Sequence, residues 1–269
     1  MSIDKSVIMR ILILSILLLI SVNAEAKYAG AQVNQIPTAS IFPSINAILF
    51  PAPVTAAGVN ASALGIYGTR TDIQAAYTHP SGSDPTGIFA GTEIGSNGFG
   101  VGLGYIGQKG DTSTVNNMYG GFGFKAGTVC LGAGTRVLDT KSGPGPVFDL
   151  SMMSGGPTGF NWGIVGYNLL KKAQVDIGVG VGGAKKYNIE LNVMPPPITN
   201  GEGEGFTITA GATLFGLDWL GLSGRTSYIT APSSFNYMAG ATVWFNDTFN
   251  SFLFYTSPGF VTGGLSFSF

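Results

Sequence analysis

Apolar and polar residues alternate with a period of two along most of this chain, and this pattern constrains the fold more than any other feature. The segment over residues 206–214 places its large apolar side chains on one face and threonine or glycine on the other. Side chains of a β-strand point alternately to its two faces, so such a segment predicts a strand with one apolar and one polar face. Fifteen segments of this kind follow one another from Ser62 to Phe269, which predicts an all-β fold.

The low charge content indicates where the apolar faces go. Charged residues make up 10% of the chain, whereas a soluble domain carries about 25%. After residue 20 no apolar run is long enough for a helical span, so a membrane protein of this sequence has to cross with strands. We therefore predict a closed antiparallel transmembrane β-barrel. A soluble exported β-sandwich, barrel or propeller would also alternate, but with more charge on its exposed face.

The first residues have the layout of a targeting segment. Lys5 and Arg10 precede an apolar run over 11–20, and Ala24-Glu25-Ala26 supplies small residues before a cut. This layout predicts a cleaved secretory signal peptide over residues 1–26. The alternative is a membrane-anchoring helix, for which the run is too short.

Strand count and boundaries follow from the segments. Bacterial single-chain barrels have even strand numbers, so fifteen segments predict about 14 strands, with about 12 to 16 allowed. The barrel is predicted over residues 62–269, with a first strand at 62–69 and a tight connection at Arg70-Thr71. The segment 159–169 changes its apolar face midway, which predicts a bulge or a register change. The segment 249–256 is apolar on both faces.

Seven charged residues within the segments share the polar face, whereas Asp218 lies on the other face at the end of its segment. A charge facing lipid at the membrane midplane costs about 2–4 kcal/mol, while a charge facing a wet lumen costs little. Four of these residues are acidic and three are basic. A charge-selective pore carries a ring of charges of one sign, so this mixture predicts weak ion selectivity or a largely apolar passenger. The residues also fit interior struts that pair with one another. The candidate lumen-lining residues are Glu93, Lys125, Arg136, Asp149, Asp176, Glu190 and Arg225.

The last segment resembles the β-signal of Gram-negative outer-membrane proteins. That signal is a polar residue, Gly two positions later, an apolar or aromatic residue and a terminal aromatic residue. Thr262, Gly264, Phe267 and Phe269 occupy these positions. The resemblance implies an outer-membrane location and recognition by the barrel-assembly machinery during biogenesis.

Residues 27–61 lack clean alternation and contain four prolines, so we expect a non-strand segment that forms an internal plug. A barrel of about 14 strands with such a plug resembles the FadL-like transporters. Their early region often carries Asn-Pro-Ala, whereas Phe50-Pro51-Ala52-Pro53 lacks the Asn. The plug is expected to pack on a wall of glycines on the polar face of three consecutive segments, although these glycines also fit simple curvature. The wall comprises Gly100, Gly102, Gly104, Gly121, Gly123, Gly132 and Gly134.

Other function classes are poorly supported by the sequence. His79 is the only histidine and Cys130 the only cysteine, so no catalytic residues, cofactor or metal site are expected. A net charge of −1 gives no reason to expect a nucleic-acid partner. The predicted function is a passive or ligand-selective channel for small solutes, including apolar ones. The expected partners are outer-membrane lipid and a small apolar ligand. The alternative is a structural or surface-interaction barrel without transport.

Overall fold

The computed structural model describes residues 53–66, 70–80, 86–109, 114–138, 145–154, 158–170, 173–183, 186–196, 205–231, 233–246, 248–257 and 259–269. Within this part of the chain, α-helix α1 (Pro53–Val59) and a 3-10 helix (Ala61–Gly65) precede the sheet. The strands are β1 (Arg70–Pro80), β2 (Thr86–Ser96), β3 (Phe99–Lys109), β4 (Thr114–Ala126), β5 (Val129–Leu138), β6 (Gly145–Ser154), β7 (Gly159–Tyr167), β8 (Gln174–Gly183), β9 (Tyr187–Met194), β10 (Thr207–Leu217), β11 (Leu220–Thr230), β12 (Ser233–Trp244), β13 (Phe249–Thr256) and β14 (Phe260–Ser268).

The fourteen strands form one closed barrel. Each strand pairs antiparallel with its neighbours in sequence, and β14 pairs with β1 from Asp72 opposite Ser268 to Pro80 opposite Phe260. Closure leaves no open sheet edge, so the backbone hydrogen bonds are satisfied within the sheet. The predicted closed antiparallel barrel of about 14 strands is confirmed.

The predicted first strand over 62–69 is wrong, and so is the tight connection at Arg70-Thr71. Residues 61–65 form the 3-10 helix, and both Arg70 and Thr71 lie within β1. Asn60 caps the helix, because its Oδ1 accepts a hydrogen bond from the Ser62 amide at 3.2 Å. A short alternation of small residues carries little strand preference, and the local cap decides the structure. Among the described residues, the barrel wall therefore begins at Arg70.

The predicted register change in segment 159–169 is absent from the β7–β8 pair, whereas on the β6 side Asn168 has a positive φ of 54° and the Leu169 amide donates to the Phe148 carbonyl, one residue out of register. β7 pairs with β8 in unbroken register from Gly159 to Tyr167. The apolar residues Val165 and Tyr167 share the face of the buried Asn161, so the strand carries apolar side chains on both faces. β13 behaves in the same way, because Phe252 and Phe254 lie on the face opposite to Leu253.

The two faces of the sheet differ sharply in chemistry. α1 and the 3-10 helix lie against one face and inside the barrel, since Leu64 and Ala61 approach the backbone of β3 and β4. The other face carries exposed large apolar side chains, and Leu103 and Leu150 are each 58% exposed. This outer apolar surface includes Ile73, Ile88, Leu103, Phe122, Leu150, Val179, Leu191, Leu214, Leu222, Phe235 and Leu265. In the described chain, neither helix is long and apolar enough to span a membrane.

Candidate functional site

The structure places all seven predicted lumen-lining residues on the inner face of the barrel. Five of them are almost fully buried there, and the sixth and seventh, Arg225 and Lys125, are half-buried and exposed respectively. An eighth inward charge, Asp72, lies directly opposite Glu93 on the neighbouring strand. Asp72 was not predicted from the sequence because it is the first residue of its segment. Its alternation with Ile73 and Tyr77 nevertheless places it on the polar face of that segment. The five buried residues are Glu93, Arg136, Asp149, Asp176 and Glu190.

Arg136 and Asp149 form a strut on the inner face of β5 and β6. Arg136 Nε and Nη2 each donate to one Asp149 carboxylate oxygen at 2.8 Å, which is the two-pronged geometry that an arginine and a carboxylate favour. Asp149 Oδ1 also accepts the Asn168 amide at 2.8 Å. The guanidinium carbon lies 5.4 Å from the centre of the Tyr167 ring. This strut fixes the position of Tyr167 on β7.

Tyr167 is one of three groups that hold the internal helices. Its hydroxyl donates to the Val59 carbonyl at 2.8 Å. The Ser62 amide donates to Ser151 Oγ at 2.9 Å. The Asn60 side-chain amide contacts Met153 Sδ at 3.5 Å. β6 and β7 therefore hold the end of α1 and the start of the 3-10 helix against the barrel wall.

The predicted glycine wall lies directly behind these helices. A Cβ at Gly123 would overlap the Ala61 carbonyl oxygen, and one at Gly132 would overlap the Ser62 amide nitrogen. A Cβ at Gly102 would lie 2.9 Å from that of Ala57. Only glycine allows the helix backbone to come this close to the sheet. Gly104 differs, because the Tyr119 ring, rather than a helix, occupies the space over it.

Gly121 and Gly134 complete the wall. A Cβ at either position would lie 3.0 Å from the Ala57 carbonyl oxygen. A Cβ at Gly100 would lie 2.7 Å from the Leu64 carbonyl oxygen. Residues 27–52 of the predicted plug lie outside the described residues, as does the predicted signal peptide over 1–26.

The inner faces of β8 to β11 carry a polar patch, which we define as Asp176, Glu190 and Arg225. Glu190 lies opposite Gly211, and Gly211 lies opposite Arg225 on the next strand. A Cβ at Gly211 would lie 2.6 Å from Arg225 Nε and 3.0 Å from Nη2, so the guanidinium extends across this glycine towards β9. Asp176 and Glu190 are 6% and 3% exposed.

An apolar inner surface lies on the strands that follow. The Phe252 ring occupies the space over Gly264, and the Phe254 ring occupies the space over Gly240. Phe89 and Tyr119 continue this surface near α1, with stacked rings 6.3 Å apart. The barrel interior therefore has a polar patch on β8–β11 and aromatic side chains on β13, β2 and β4, although Asp72, Glu93 and Lys125 also face inwards on β1, β2 and β4.

The four residues of the C-terminal motif lie on or beside the strand that closes the barrel. Thr262 faces inwards and shares a hydrogen bond with Thr78 at 2.8 Å. Phe267 faces outwards, and its ring lies 4.8 Å from that of Phe249. The backbone of Phe269 exchanges two hydrogen bonds with Thr71, at 2.8 and 3.0 Å. Gly264 gives room to Phe252.

His79 lies near the end of β1 on the outer face, where its ring stacks on Tyr77 with centres 6.4 Å apart. Among the described residues, no three side chains of His, Cys, Asp or Glu lie together in a way that could hold a metal ion.

No protein-family model matches the chain, and no curated protein matches it. Solved structures that are similar include an engineered mutant of Rh. blastica porin, at 10% identity and a TM-score of 0.46, over 74% of this chain and 98% of that one. A KdgM porin is 11% identical with a TM-score of 0.45, over 74% of this chain and 99% of that one. At these values the likeness establishes no relationship, and the strand pairing itself defines the fold.

Proposed function

We propose that this chain is an outer-membrane channel for small solutes, narrowed by helices of its own. The observation that carries this proposal is the separation of the two barrel faces. Large apolar side chains are exposed outside, whereas the seven predicted lumen-lining residues and Asp72 face inwards. Such an outer surface is compatible with lipid, and a polar interior is typical of barrels that conduct solutes.

Export and assembly are parts of the same proposal. The signal-peptide layout of residues 1–26 supports export, and the resemblance of the C-terminal motif to a β-signal supports insertion by the barrel-assembly machinery. Phe269 and Thr262 lie on the strand pair that closes the barrel, where a recognised last strand would have to act. The bilayer lipid is then the partner of the outer apolar surface. The narrower resemblance to FadL-like transporters stays a prediction.

The solute path is proposed to run along β8–β13. α1 and the 3-10 helix pack mainly on β1–β6, and Tyr167 of β7 holds their junction. The opposite side of the interior offers the polar patch on β8–β11 and, beyond β12, Phe252 and Phe254 on β13. A path lined in this way suits small solutes with both polar and apolar parts. A strictly apolar passenger has less support, because Asp176, Glu190 and Arg225 would line its route.

Single-channel conductance of residues 27–269, refolded into a planar bilayer, tests the proposal. We expect discrete current steps. Ser227→Trp should reduce their size, because Ser227 faces inwards on β11, where it accepts a hydrogen bond from Thr209 Oγ1 at 3.2 Å. Tyr228→Trp is the matched control, since this neighbouring side chain faces outwards and is 42% exposed.

Folding is verified independently by the altered electrophoretic mobility of the unboiled barrel. A folded barrel that gives no current steps would contradict the channel and favour the structural or surface-interaction barrel. Equal reductions of the current steps in Ser227→Trp and Tyr228→Trp would contradict the proposed position of the solute path.

A further inference from the structure

Two atoms of the polar patch are buried without a hydrogen-bond partner. Asp176 Oδ1 lacks a donor, and Arg225 Nη1 lacks an acceptor. A buried polar atom without a partner costs about 1–3 kcal/mol, and more when the group is charged. The two atoms do not bond to each other, although Arg225 and Glu190 are close enough to act electrostatically on Asp176. Carboxylate and guanidinium are therefore held near one another with one binding position left on each.

Glycines separate these groups along and across the strands. Gly178 and Gly180 are the next inward positions of β8 after Asp176, and Gly180 lies opposite Glu190. Gly211 separates Glu190 from Arg225 on β10. Gly178 and Gly180 thus leave two inward positions of β8 without side chains, while the Arg225 guanidinium covers Gly211. A small molecule that lies against Gly178 and Gly180 would lie between Asp176 and the row that contains Glu190 and Arg225.

The charges of the patch restrict the chemistry of that molecule. Asp176 needs a donor and Arg225 needs an acceptor, so an anion alone would leave the carboxylate unpaired and a cation alone would leave the guanidinium unpaired. A small zwitterion satisfies both, because its ammonium group donates and its carboxylate accepts. Its zero net charge also avoids a large desolvation penalty in this buried position.

We propose that the polar patch of Asp176, Glu190 and Arg225 binds small zwitterionic solutes that carry an ammonium and a carboxylate group, of the size of an amino acid. Asp176 binds the ammonium group and Arg225 binds the carboxylate. This inference deepens the proposed channel function and rests on it for access to the patch. It names the class of solute that the interior would retain during passage.

The test is the block of potassium chloride current by three probes in a planar bilayer. L-alanine carries both charged groups, ethylamine carries only the ammonium group, and propionate carries only the carboxylate. For the wild-type chain we expect L-alanine to half-block the current at a concentration about tenfold lower than ethylamine or propionate does. The reason is that L-alanine forms charge-assisted hydrogen bonds through both its ammonium and its carboxylate group. The ratios between probes are compared within each variant, so a change in basal conductance does not affect them.

Two variants separate the roles of the charged groups. In Asp176→Asn, L-alanine should block no better than propionate, because the ammonium site is lost. In Arg225→Gln, it should block no better than ethylamine. Should Arg225→Gln not fold, Arg225→Lys takes its place, since it keeps the charge but loses the planar guanidinium and should shift the ratio in the same direction. Ser223→Ala is the control, because it removes an inward hydroxyl that bonds to Thr213 and lies outside the patch.

The inference fails if L-alanine blocks no better than ethylamine and propionate in the wild-type chain, or if both variants keep the wild-type ratios. Absence of any potassium chloride current from the folded protein is a different result, which contradicts the proposed channel. In that case, saturation-transfer NMR with the same probes and variants in detergent measures binding to the patch directly. Loss of the L-alanine signal in both variants would then support the site, and its absence in the wild-type chain would overturn it.

Discussion

Replacing Gly123 and Gly132 together by alanine is expected to displace the internal helices from the barrel wall. Each new methyl group would overlap backbone atoms of the 3-10 helix, namely the Ala61 carbonyl and the Ser62 amide. Backbone atoms cannot rotate away as a flexible side chain can, so the helix itself has to move. Overpacking of this kind costs about 1–3 kcal/mol at each position. The two costs fall on one short helix held by a few hydrogen bonds.

The displacement is measured through a cysteine at position 64 in a Cys130→Ser background. Leu64 is fully buried, so a hydrophilic maleimide should not label Leu64→Cys while the helices stay in place. We expect labelling to appear with the double alanine substitution. Gly224→Ala is the matched control, because a Cβ there meets only the Met238 carbonyl oxygen, at 3.9 Å. Complete protection of the cysteine in the double variant would show that the glycines only permit curvature.

An arginine at position 212 is expected to destabilise the barrel far more than an arginine at position 213. Ala212 lies midway along β10 on the outer face, beside Ile189, which is 52% exposed. Thr213 follows it on the inner face, where its hydroxyl and that of Ser223 are 2.9 Å apart. An arginine that faces lipid at the midplane costs about 2–4 kcal/mol, whereas one that faces the interior keeps polar neighbours.

Urea unfolding of the two variants in lipid vesicles provides this comparison. The same residue is introduced at adjacent positions of one strand, so backbone preference and strand position are matched. We expect the free energy of unfolding to fall by about 2–4 kcal/mol for Ala212→Arg and by clearly less for Thr213→Arg. Equal losses, or a larger loss at Thr213, would contradict the assignment of the outer face to lipid.

The strands could be predicted from sequence because the outer face carries exposed apolar side chains and the inner face carries polar ones, so alternate residues differ in character. Where a strand carries exposed apolar side chains outside and polar groups inside, as β9 and β10 do, the period of two is unambiguous. The pattern failed where the interior is itself apolar. Val165 and Tyr167 of β7 mimic a register change because they pack in the region of the internal helices, and Phe252 and Phe254 of β13 erase the alternation.

Other features depend on contacts that a linear pattern does not contain. The glycines of β3, β4 and β5 indicated either the close approach of another backbone or strong curvature of the sheet. The sequence could not identify Ala57, Ala61 and Ser62 as the residues that approach these glycines. Residues 62–69 alternate like a strand, yet the Asn60 cap makes 61–65 helical. The registers of β8 to β11 bring Gly180, Glu190, Gly211 and Arg225 into one row across four strands, and Asp176 lies on the same face of β8, four residues before Gly180.

The most direct test of the account is the conductance of a channel whose helices are locked to the wall. Cysteines at positions 61 and 134, in a Cys130→Ser background, provide the lock. The Ala61 Cβ and a Cβ at Gly134 would be 3.9 Å apart, within the range of about 3.5–4.5 Å for a disulfide. A small shift relieves the 3.0 Å approach of the new Cβ to the Ala57 carbonyl oxygen.

The two single-cysteine variants serve as controls for the substitutions themselves. Because the proposed path runs along β8–β13 beside fixed helices, we predict the same current steps from the oxidised and the reduced double-cysteine protein. Current that disappears on oxidation and returns on reduction would contradict this account, since it would show that α1 and the 3-10 helix have to leave the wall before solute can pass.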